Sequence, residues 1–120
     1  MTMTEFYAAR LDDTELLARA YLKRADDRGT DRETWAYKLL LREVEAGRKI
    51  IALHTPDMTK YSPETHARLT KHGIYSCPVC ATVRTEHKED WGADRFPCLT
   101  LCSLAATWSD HPDYDEAWRP

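Results

Sequence analysis

Four cysteines, arranged as two close pairs, are the residues of this 120-residue chain best suited to chemistry. The first pair is Cys77-Pro-Val-Cys80 and the second is Cys98-Leu-Thr-Leu-Cys102, with residues 81–97 between them. Two thiol pairs at this spacing match a structural zinc site, in which four ligands surround the ion as a tetrahedron. The sequence therefore predicts a structural zinc ion held by Cys77, Cys80, Cys98 and Cys102.

The spacing within each pair suits this role. Two cysteines that flank Pro-Val can place both sulfurs on one side of a tight turn, a zinc knuckle. Cys98 and Cys102 are four residues apart, so on a helix they would project from the same face. Four thiolates leave no open coordination position, which indicates a structural rather than a catalytic ion. We expect the ion to clamp the last helix onto the knuckle and so contribute directly to folding.

Other interpretations of the cysteines stay open. Cysteine is often a plain buried residue, which is an alternative for Cys102. A redox dithiol at Cys77 and Cys80 would need a strand–helix context that the sequence lacks. An iron–sulfur cluster also uses four thiolates. His111 is the best substitute for one cysteine. The remaining histidines, each more typical of a surface or core position, are His54, His66, His72 and His87.

Two long amphipathic helices are predicted before the cysteines. Apolar residues at three- and four-residue steps, including Phe6, Leu17 and Tyr21, favour a helix over 4–27. Gly29 follows it as a stop signal. The buried face of this helix is expected to carry all three of these side chains.

The second helix has a clear start. Thr30-Asp-Arg-Glu33 fits a capping box, and the apolar periodicity continues to about His54. Gly47 in the middle of this helix costs about 1 kcal/mol relative to Ala, but it permits close approach of a neighbouring helix. Two such helices joined by a short Gly-containing turn predict an antiparallel hairpin.

The C-terminal half is predicted as shorter elements. Ser62 and Pro63 begin a short helix that Gly73 closes. A β-hairpin or knuckle over 74–84 and a polar loop over 85–95 follow, and a third helix covers 98–108.

The predicted fold is therefore mostly α. A long antiparallel helical hairpin, residues 1–54, precedes a metal-stapled region, residues 55–120, which contains the zinc knuckle and the C-terminal helix. The two parts are expected to form one compact domain, since a chain of this length has material for a single core.

Aromatic and acidic residues crowd the end of the chain. The aromatic residues are Trp91, Phe96, Trp108, Tyr114 and Trp118. The favoured interpretation is a roof over a metal-centred core, because aliphatic residues are few here; the alternative is a partner-binding patch. The acidic residues, which lack the spacing of a calcium loop and indicate a solvated tail, are Asp110, Asp113, Asp115 and Glu116.

Composition narrows the functional classes. The chain has 17 basic and 20 acidic residues, a net charge of -3, and neither half has the basic excess typical of nucleic-acid binders. No leader sequence or membrane-length apolar stretch is visible, which predicts a cytoplasmic protein with no membrane association. In that compartment paired cysteines are more often metal ligands or redox groups than disulfides. Phosphate-binding glycine loops, nucleophile elbows and His-Glu-x-x-His motifs are missing, so no residue is predicted as catalytic.

Two segments carry a family resemblance. They are Leu39-Leu-Leu-Arg-Glu-Val-Glu-Ala-Gly-Arg-Lys-Ile-Ile51 and Cys98-Leu-Thr-Leu-Cys-Ser-Leu-Ala105 with the following Ser109-Asp-His-Pro-Asp-Tyr-Asp-Glu-Ala-Trp-Arg-Pro120. The chain resembles a family of small uncharacterised proteins, a domain of unknown function, from actinobacteria and their phages. The resemblance implies no activity. Relatives usually carry Arg at the position of Cys102, whereas Cys98 and His111 lie on the shared pattern. Cys77, Cys80, Cys98 and His111 are therefore a rival ligand set.

The favoured function is a non-enzymatic, zinc-stabilised protein-binding or regulatory module. A phage origin, which the resemblance allows, would give it a host protein as its partner. One alternative is a nucleic-acid-binding zinc protein, supported by Arg84, Lys88 and Arg95 near the loop. Another is a metal-dependent or redox enzyme in which water occupies one of the four metal positions.

Overall fold

Helices make up the fold. The structure, a computed structural model, describes residues 1–57, 59, 62–65, 77–80 and 97–120. Its longer helices are α1 (Met3–Arg28), α2 (Asp31–His54) and α3 (Leu99–Ala105), and 3-10 turns cover Ala106–Trp108 and Glu116–Trp118. Within these ranges there is no strand, so the mostly α prediction is confirmed. None of the helices in this part of the chain is both long and apolar enough to cross a membrane.

A capping box begins α1. The Glu5 amide donates to the Thr2 hydroxyl at 3.2 Å, and the Thr2 amide donates to the Glu5 carboxylate at 2.6 Å. The box predicted at Thr30 and Glu33 is wrong, because the Thr30 side chain makes no cap hydrogen bond to an amide of α2. Its hydroxyl instead donates to the Ala25 carbonyl at 3.2 Å, which is one of the open carbonyls at the end of α1.

Gly29 and Thr30 reverse the chain between α1 and α2. Gly29 has φ 69° and ψ 28°, the left-handed conformation that glycine adopts without strain. Its amide donates to the Asp26 carbonyl at 3.1 Å and the Thr30 amide donates to the Ala25 carbonyl at 3.2 Å, the pattern of a Schellman motif. The turn therefore satisfies the end of α1 while it redirects the backbone.

The two long helices run antiparallel, as predicted. Near the start of α1, Asp12 pairs with Arg48 at 2.7 Å. Near its end, Asp26 accepts from Thr34 at 3.2 Å. The contact farther from the turn involves the later part of α2, and the contact nearer the turn involves the first part of α2. The two helices therefore run in opposite directions and form a hairpin.

Close packing at Gly47 holds the hairpin together. A β-carbon at this buried position would lie 2.9 Å from the Tyr7 hydroxyl and 3.1 Å from a methyl group of Leu11. The prediction that Gly47 permits close approach of a neighbouring helix is thus confirmed.

Pro56 determines where α2 ends. The residue before a proline avoids helical backbone angles, and Thr55 is extended with φ -90° and ψ 126°. The Thr55 amide and hydroxyl both donate to the Ile51 carbonyl, at 2.9 and 2.6 Å. His54 is therefore the last helical residue, at the end of the hairpin opposite the turn.

The core lies at this same end of the hairpin. Its buried members are Met3, Phe6, Tyr7, Leu11, Val44, Cys77, Cys98, Leu101 and Ala105. The distal half of the hairpin, toward Gly29, is different: Leu17 and Tyr21, which were predicted on the buried face, are 58% and 44% exposed. The reason is that α3 and the C-terminal residues pack only on the first turns of α1.

The C-terminal aromatic residues pack around Phe6, which is fully buried. The Phe6 ring centroid lies 5.6 Å from His111, 5.8 Å from Tyr114 and 5.2 Å from Trp118. The ring centroids of Trp108 and Tyr7 lie 5.5 Å apart. These side chains therefore cover α1, in a core that also contains Cys77 and Cys98, rather than the cysteines alone.

Several predicted elements fall wholly or partly outside the described residues. Residues 63–65 are helical and the Thr65 amide donates to the Ser62 hydroxyl at 3.2 Å, which agrees with the predicted helix start. The rest of that helix to Gly73, most of the 74–84 hairpin and the 85–95 loop lie outside. The residues concerned also include His66, His72, Arg84, His87, Lys88, Trp91, Arg95 and Phe96.

Candidate metal centre

Three separate segments bring His54, Cys77, Cys80 and Cys98 together. His54 is the last residue of α2, Cys77 and Cys80 flank the turn at 77–80, and Cys98 is the N-cap of α3. One nitrogen and three sulfurs of these side chains all lie within 4.8 Å of one another. The group is therefore compatible with a metal site.

The nitrogen–sulfur distances are compatible with one metal ion. His54 Nδ1 lies 3.2 Å from Cys77 Sγ, 3.4 Å from Cys98 Sγ and 3.6 Å from Cys80 Sγ. A zinc ion with Zn–S bonds of about 2.3 Å and Zn–N bonds of about 2.0–2.1 Å separates its nitrogen and sulfur ligands by roughly 3.5–3.6 Å. The observed nitrogen–sulfur separations lie around that value.

Hydrogen bonding alone does not explain this arrangement. An imidazole nitrogen either donates one proton or accepts one, so Nδ1 of His54 can satisfy a single sulfur. Three sulfurs nevertheless surround it within 3.6 Å. A shared cation at the centre of the four atoms accounts for all three approaches at once.

Two thiols of the group, Cys77 and Cys80, have shifted pKa values. Burial, followed by the neighbouring sulfurs of Cys77 and Cys98, raises the pKa of the Cys80 thiol to about 11. Burial acts in the same direction on Cys77, but hydrogen bonds from the amides of Cys80 and Val79 and from the side chains of Cys80 and Cys98 more than offset it, so the pKa of that thiol is lowered. The Cys80 amide lies 3.4 Å from Cys77 Sγ. Neighbouring sulfurs disfavour one another's deprotonated forms, and a positive ion among them would favour those forms instead.

Cys102 lies outside the group, so the structure differs from the predicted arrangement at this position. The Cys102 thiol donates to the Pro97 carbonyl, 3.8 Å from the sulfur. The prediction assumed that Cys98 is helical, whereas it is an N-cap residue with φ -77° and ψ 165°. The rule that residues four apart share a helix face therefore does not apply to this pair. Burial, then the charge of Cys98, raises the pKa of the Cys102 thiol.

His111, the alternative fourth ligand, has different neighbours. Its Nδ1 accepts from the Asp113 amide at 3.1 Å, and both ring nitrogens contact the Arg10 guanidinium. The ring also packs edge-on against Phe6. His111 thus belongs to the aromatic core on α1 and not to the cysteine group.

Sequence reasoning considered His54 but did not select it. No short spacing pattern links it to the cysteines, because Cys77 is 23 residues away. The helical periodicity of α2 did contain a signal. Val44, Gly47, Ile51 and His54 follow one another at three- and four-residue steps, and the first two are buried. A histidine that ends the buried face of a helix points into the same interior as the knuckle.

Comparison with known proteins gives a family but no function. A family model described as "Family of unknown function (DUF6221)" matches residues 1–120. No curated protein and no solved structure matches the chain.

Proposed function

Because the chain belongs to the DUF6221 family, whose function is not established, we propose from its own residues that it is a non-enzymatic, zinc-stabilised protein-binding or regulatory module. His54, Cys77, Cys80 and Cys98 would hold the ion. The observation that carries the proposal is the approach of three sulfurs to one imidazole nitrogen, at 3.2–3.6 Å.

Zinc is the ion that this donor set favours. Three cysteines and one histidine are a common ligand set for structural zinc, and soft thiolates disfavour calcium and magnesium. An iron–sulfur cluster would attach its ligands to different iron atoms and hold them farther apart than ligands of one ion. Four ligand atoms within 4.8 Å of one another therefore support a single ion.

Burial supports a structural role for this ion. Cys77 is 0% exposed and Cys98 is 1% exposed, and four protein ligands complete a tetrahedron without leaving a position for a substrate. The ion would supply a link between the end of α2, the knuckle and the start of α3. Since Cys77, Cys98 and Leu101 belong to one core, the ion would stabilise the core directly.

If the ion has a structural role, partner binding takes place on the protein surface. Large apolar side chains remain exposed on the hairpin, among them Leu16 at 72% and Trp35 at 59%. Exposed aromatic side chains such as that of Trp35 are typical of protein interfaces. Together with the net charge of -3, they favour a protein partner over nucleic acid.

Elemental analysis of purified protein tests the metal assignment. We expect one equivalent of zinc in the wild type and loss of zinc in His54→Ala and Cys98→Ser. Cys102→Ser and His111→Ala are matched controls that should retain it, since they change the same residue types in the same region. Retention of zinc by His54→Ala together with loss in Cys102→Ser would contradict the proposed ligand set.

Affinity purification followed by mass spectrometry tests the binding role. The wild type and His111→Ala should enrich the same protein from an extract, whereas His54→Ala should not enrich it because its core is incomplete. If wild-type protein with a full equivalent of zinc enriches no protein, the binding role is wrong even though the metal assignment stands.

A further inference from the structure

The sulfurs of Cys77 and Cys80, at the two ends of the knuckle, have different partners. The Cys80 amide donates to Cys77 Sγ at 3.4 Å, and the Val79 amide donates to the same sulfur. Within the described part of the chain, Cys80 Sγ has one partner outside the His/Cys group, which is the Thr100 hydroxyl at 4.0 Å. Cys77 is therefore supported from within its own turn, whereas Cys80 is supported from α3.

The position of Thr100 leaves its hydroxyl available to this sulfur. A threonine inside a helix often gives its hydroxyl to the carbonyl three or four residues earlier. Thr100 is the second residue of α3, so the residues at that spacing precede the helix. Its contact with Cys80 joins residues 20 positions apart in the sequence. The hydroxyl therefore links the first turn of α3 to the knuckle.

Cys80 is a thiol at which a hydrogen-bond donor has a large effect. Zinc binds the deprotonated form of cysteine. Burial and then the neighbouring sulfurs raise the pKa of Cys80 to about 11, whereas the pKa of Cys77 is lowered. The Thr100 hydroxyl acts on Cys80 in the opposite direction to burial, because a donor stabilises the charged sulfur. A thiolate has no proton to give, so the hydroxyl is the donor when Cys80 is deprotonated.

We propose that Thr100 is a positioning residue of the metal site, whose hydroxyl donates to the Cys80 thiolate, orients that sulfur toward the ion and so slows the loss of zinc. This inference rests on the proposed function, since it requires that the group binds an ion. Hydrogen bonds to ligand atoms fix their orientation, and removing one typically lowers metal affinity about 10–100-fold. Thr100 is exposed, so water competes for the same contact and we expect an effect near the lower end of that range.

Zinc affinity, measured by competition with a chelator, tests the proposal. Thr100→Val replaces the hydroxyl by a methyl group of similar size, and the Kd for zinc should rise about tenfold. Thr100→Ser retains the hydroxyl, so its Kd should stay close to the wild-type value. Thr107→Val is the matched control, because it makes the same exchange at another exposed threonine in the turn that follows α3. Its Kd should equal that of the wild type.

Alkylation separates a positioning role from a general loss of structure. Zinc-loaded protein is treated briefly with limiting iodoacetamide, and mass spectrometry identifies the cysteine that reacts first. In Thr100→Val, Cys80 should react faster than in the wild type, while the first-hit rates of Cys77 and Cys98 stay unchanged. A purely structural role would instead expose these two buried cysteines together with Cys80.

The outcomes distinguish this inference from the proposed function. Equal zinc affinity in the wild type and Thr100→Val would overturn the role of Thr100 and leave the ligand set standing. An equal loss of affinity in Thr100→Val and Thr100→Ser would also overturn it, because the hydroxyl would then not be the cause. A wild type that binds no zinc would contradict the proposed function itself, and the role of Thr100 would be wrong with it.

Discussion

The Tyr7 hydroxyl lies 2.9 Å from the place where a β-carbon on Gly47 would stand. Tyr7 is only 4% exposed, so the phenol has little room to move away. This relationship makes Gly47 the residue that permits α1 and α2 to pack at their observed separation.

Gly47→Ala should therefore destabilise the protein. Overpacking typically costs about 1–3 kcal/mol, and the better helix propensity of Ala offsets about 1 kcal/mol of that cost. We expect a net loss of up to about 2 kcal/mol in chemical denaturation. In a Tyr7→Phe background the closest atom is gone, so the same substitution should cost clearly less. An equal cost in both backgrounds would show that Tyr7 is not the obstacle.

Gly29→Ala should cost about 1 kcal/mol through the backbone alone. Gly29 has φ 69°, and nothing lies within 4 Å of an added β-carbon. Since the left-handed conformation and not a clash causes the loss, Gly29→Asn should be less destabilising, because Asn tolerates that conformation. Thermal denaturation of the two variants checks this, and an equal loss of stability in both would contradict it.

Removal of the aromatic ring of Phe6 should be the most damaging single core change. Phe6 is fully buried between His111, Tyr114 and Trp118. Phe6→Ala should cost about 3–5 kcal/mol in the free energy of unfolding. Leu16→Ala, at a position 72% exposed, should change it by less than about 0.5 kcal/mol. A small effect of Phe6→Ala would mean that the C-terminal residues do not pack on α1.

Chelation of the ion should lower the melting temperature. A ligand present at about 1,000 times its Kd stabilises the folded state by about 4 kcal/mol, which corresponds to more than about 10 °C in a domain of this size. Zinc added after removal of the chelator should restore the transition, whereas magnesium should not, because thiolates bind it poorly. An unchanged melting temperature in the chelator would contradict a structural ion.

The stability of the metal-free protein should fall between about pH 9 and 11. The pKa of Cys80 is raised from 9.0 to about 11, so the folded state holds this proton more tightly than the unfolded state. Such a group contributes its full stability below pH 9.0, and that contribution is lost as the pH rises through about 11. Denaturation in chelator across this window should show the decline, and Cys80→Ser should reduce it. With the ion bound, the ligands must be deprotonated, so stability is instead lost toward acid pH.

Residue type and periodicity were sufficient for the hairpin. Gly29, Gly47 and the apolar repeats lie within two helices that contact each other along adjacent sequence, so local rules apply. The capping box failed for a local reason too: the Thr30 hydroxyl donates to the Ala25 carbonyl at the end of α1 and accepts from no amide of α2. Exposure of Leu17 and Tyr21 was not predictable, because it depends on how far α3 and the C-terminal residues reach.

The His/Cys group that we propose as a metal site was predictable in part. Spacing identified Cys77, Cys80 and Cys98, since a knuckle and a following element are sequence-local features. The choice between Cys102 and His54 depended on the backbone angles of Cys98 and on where Pro56 ends α2. Those are consequences of tertiary structure, and the spacing of cysteines contains no information about them.

The separation of 44 residues between His54 and Cys98 has a consequence for the order of folding. Contacts across the turn at Gly29 join residues that are close in sequence, and such contacts form quickly. Closing a segment as long as that between His54 and Cys98 first costs loop entropy. Packing of the core, and binding of the ion that we propose, offset this cost only once all four side chains have come together. We therefore expect a kinetic sequence in which the hairpin appears early and capture of the ion comes late, so that scarce zinc would slow maturation of the chain after its helices have already formed.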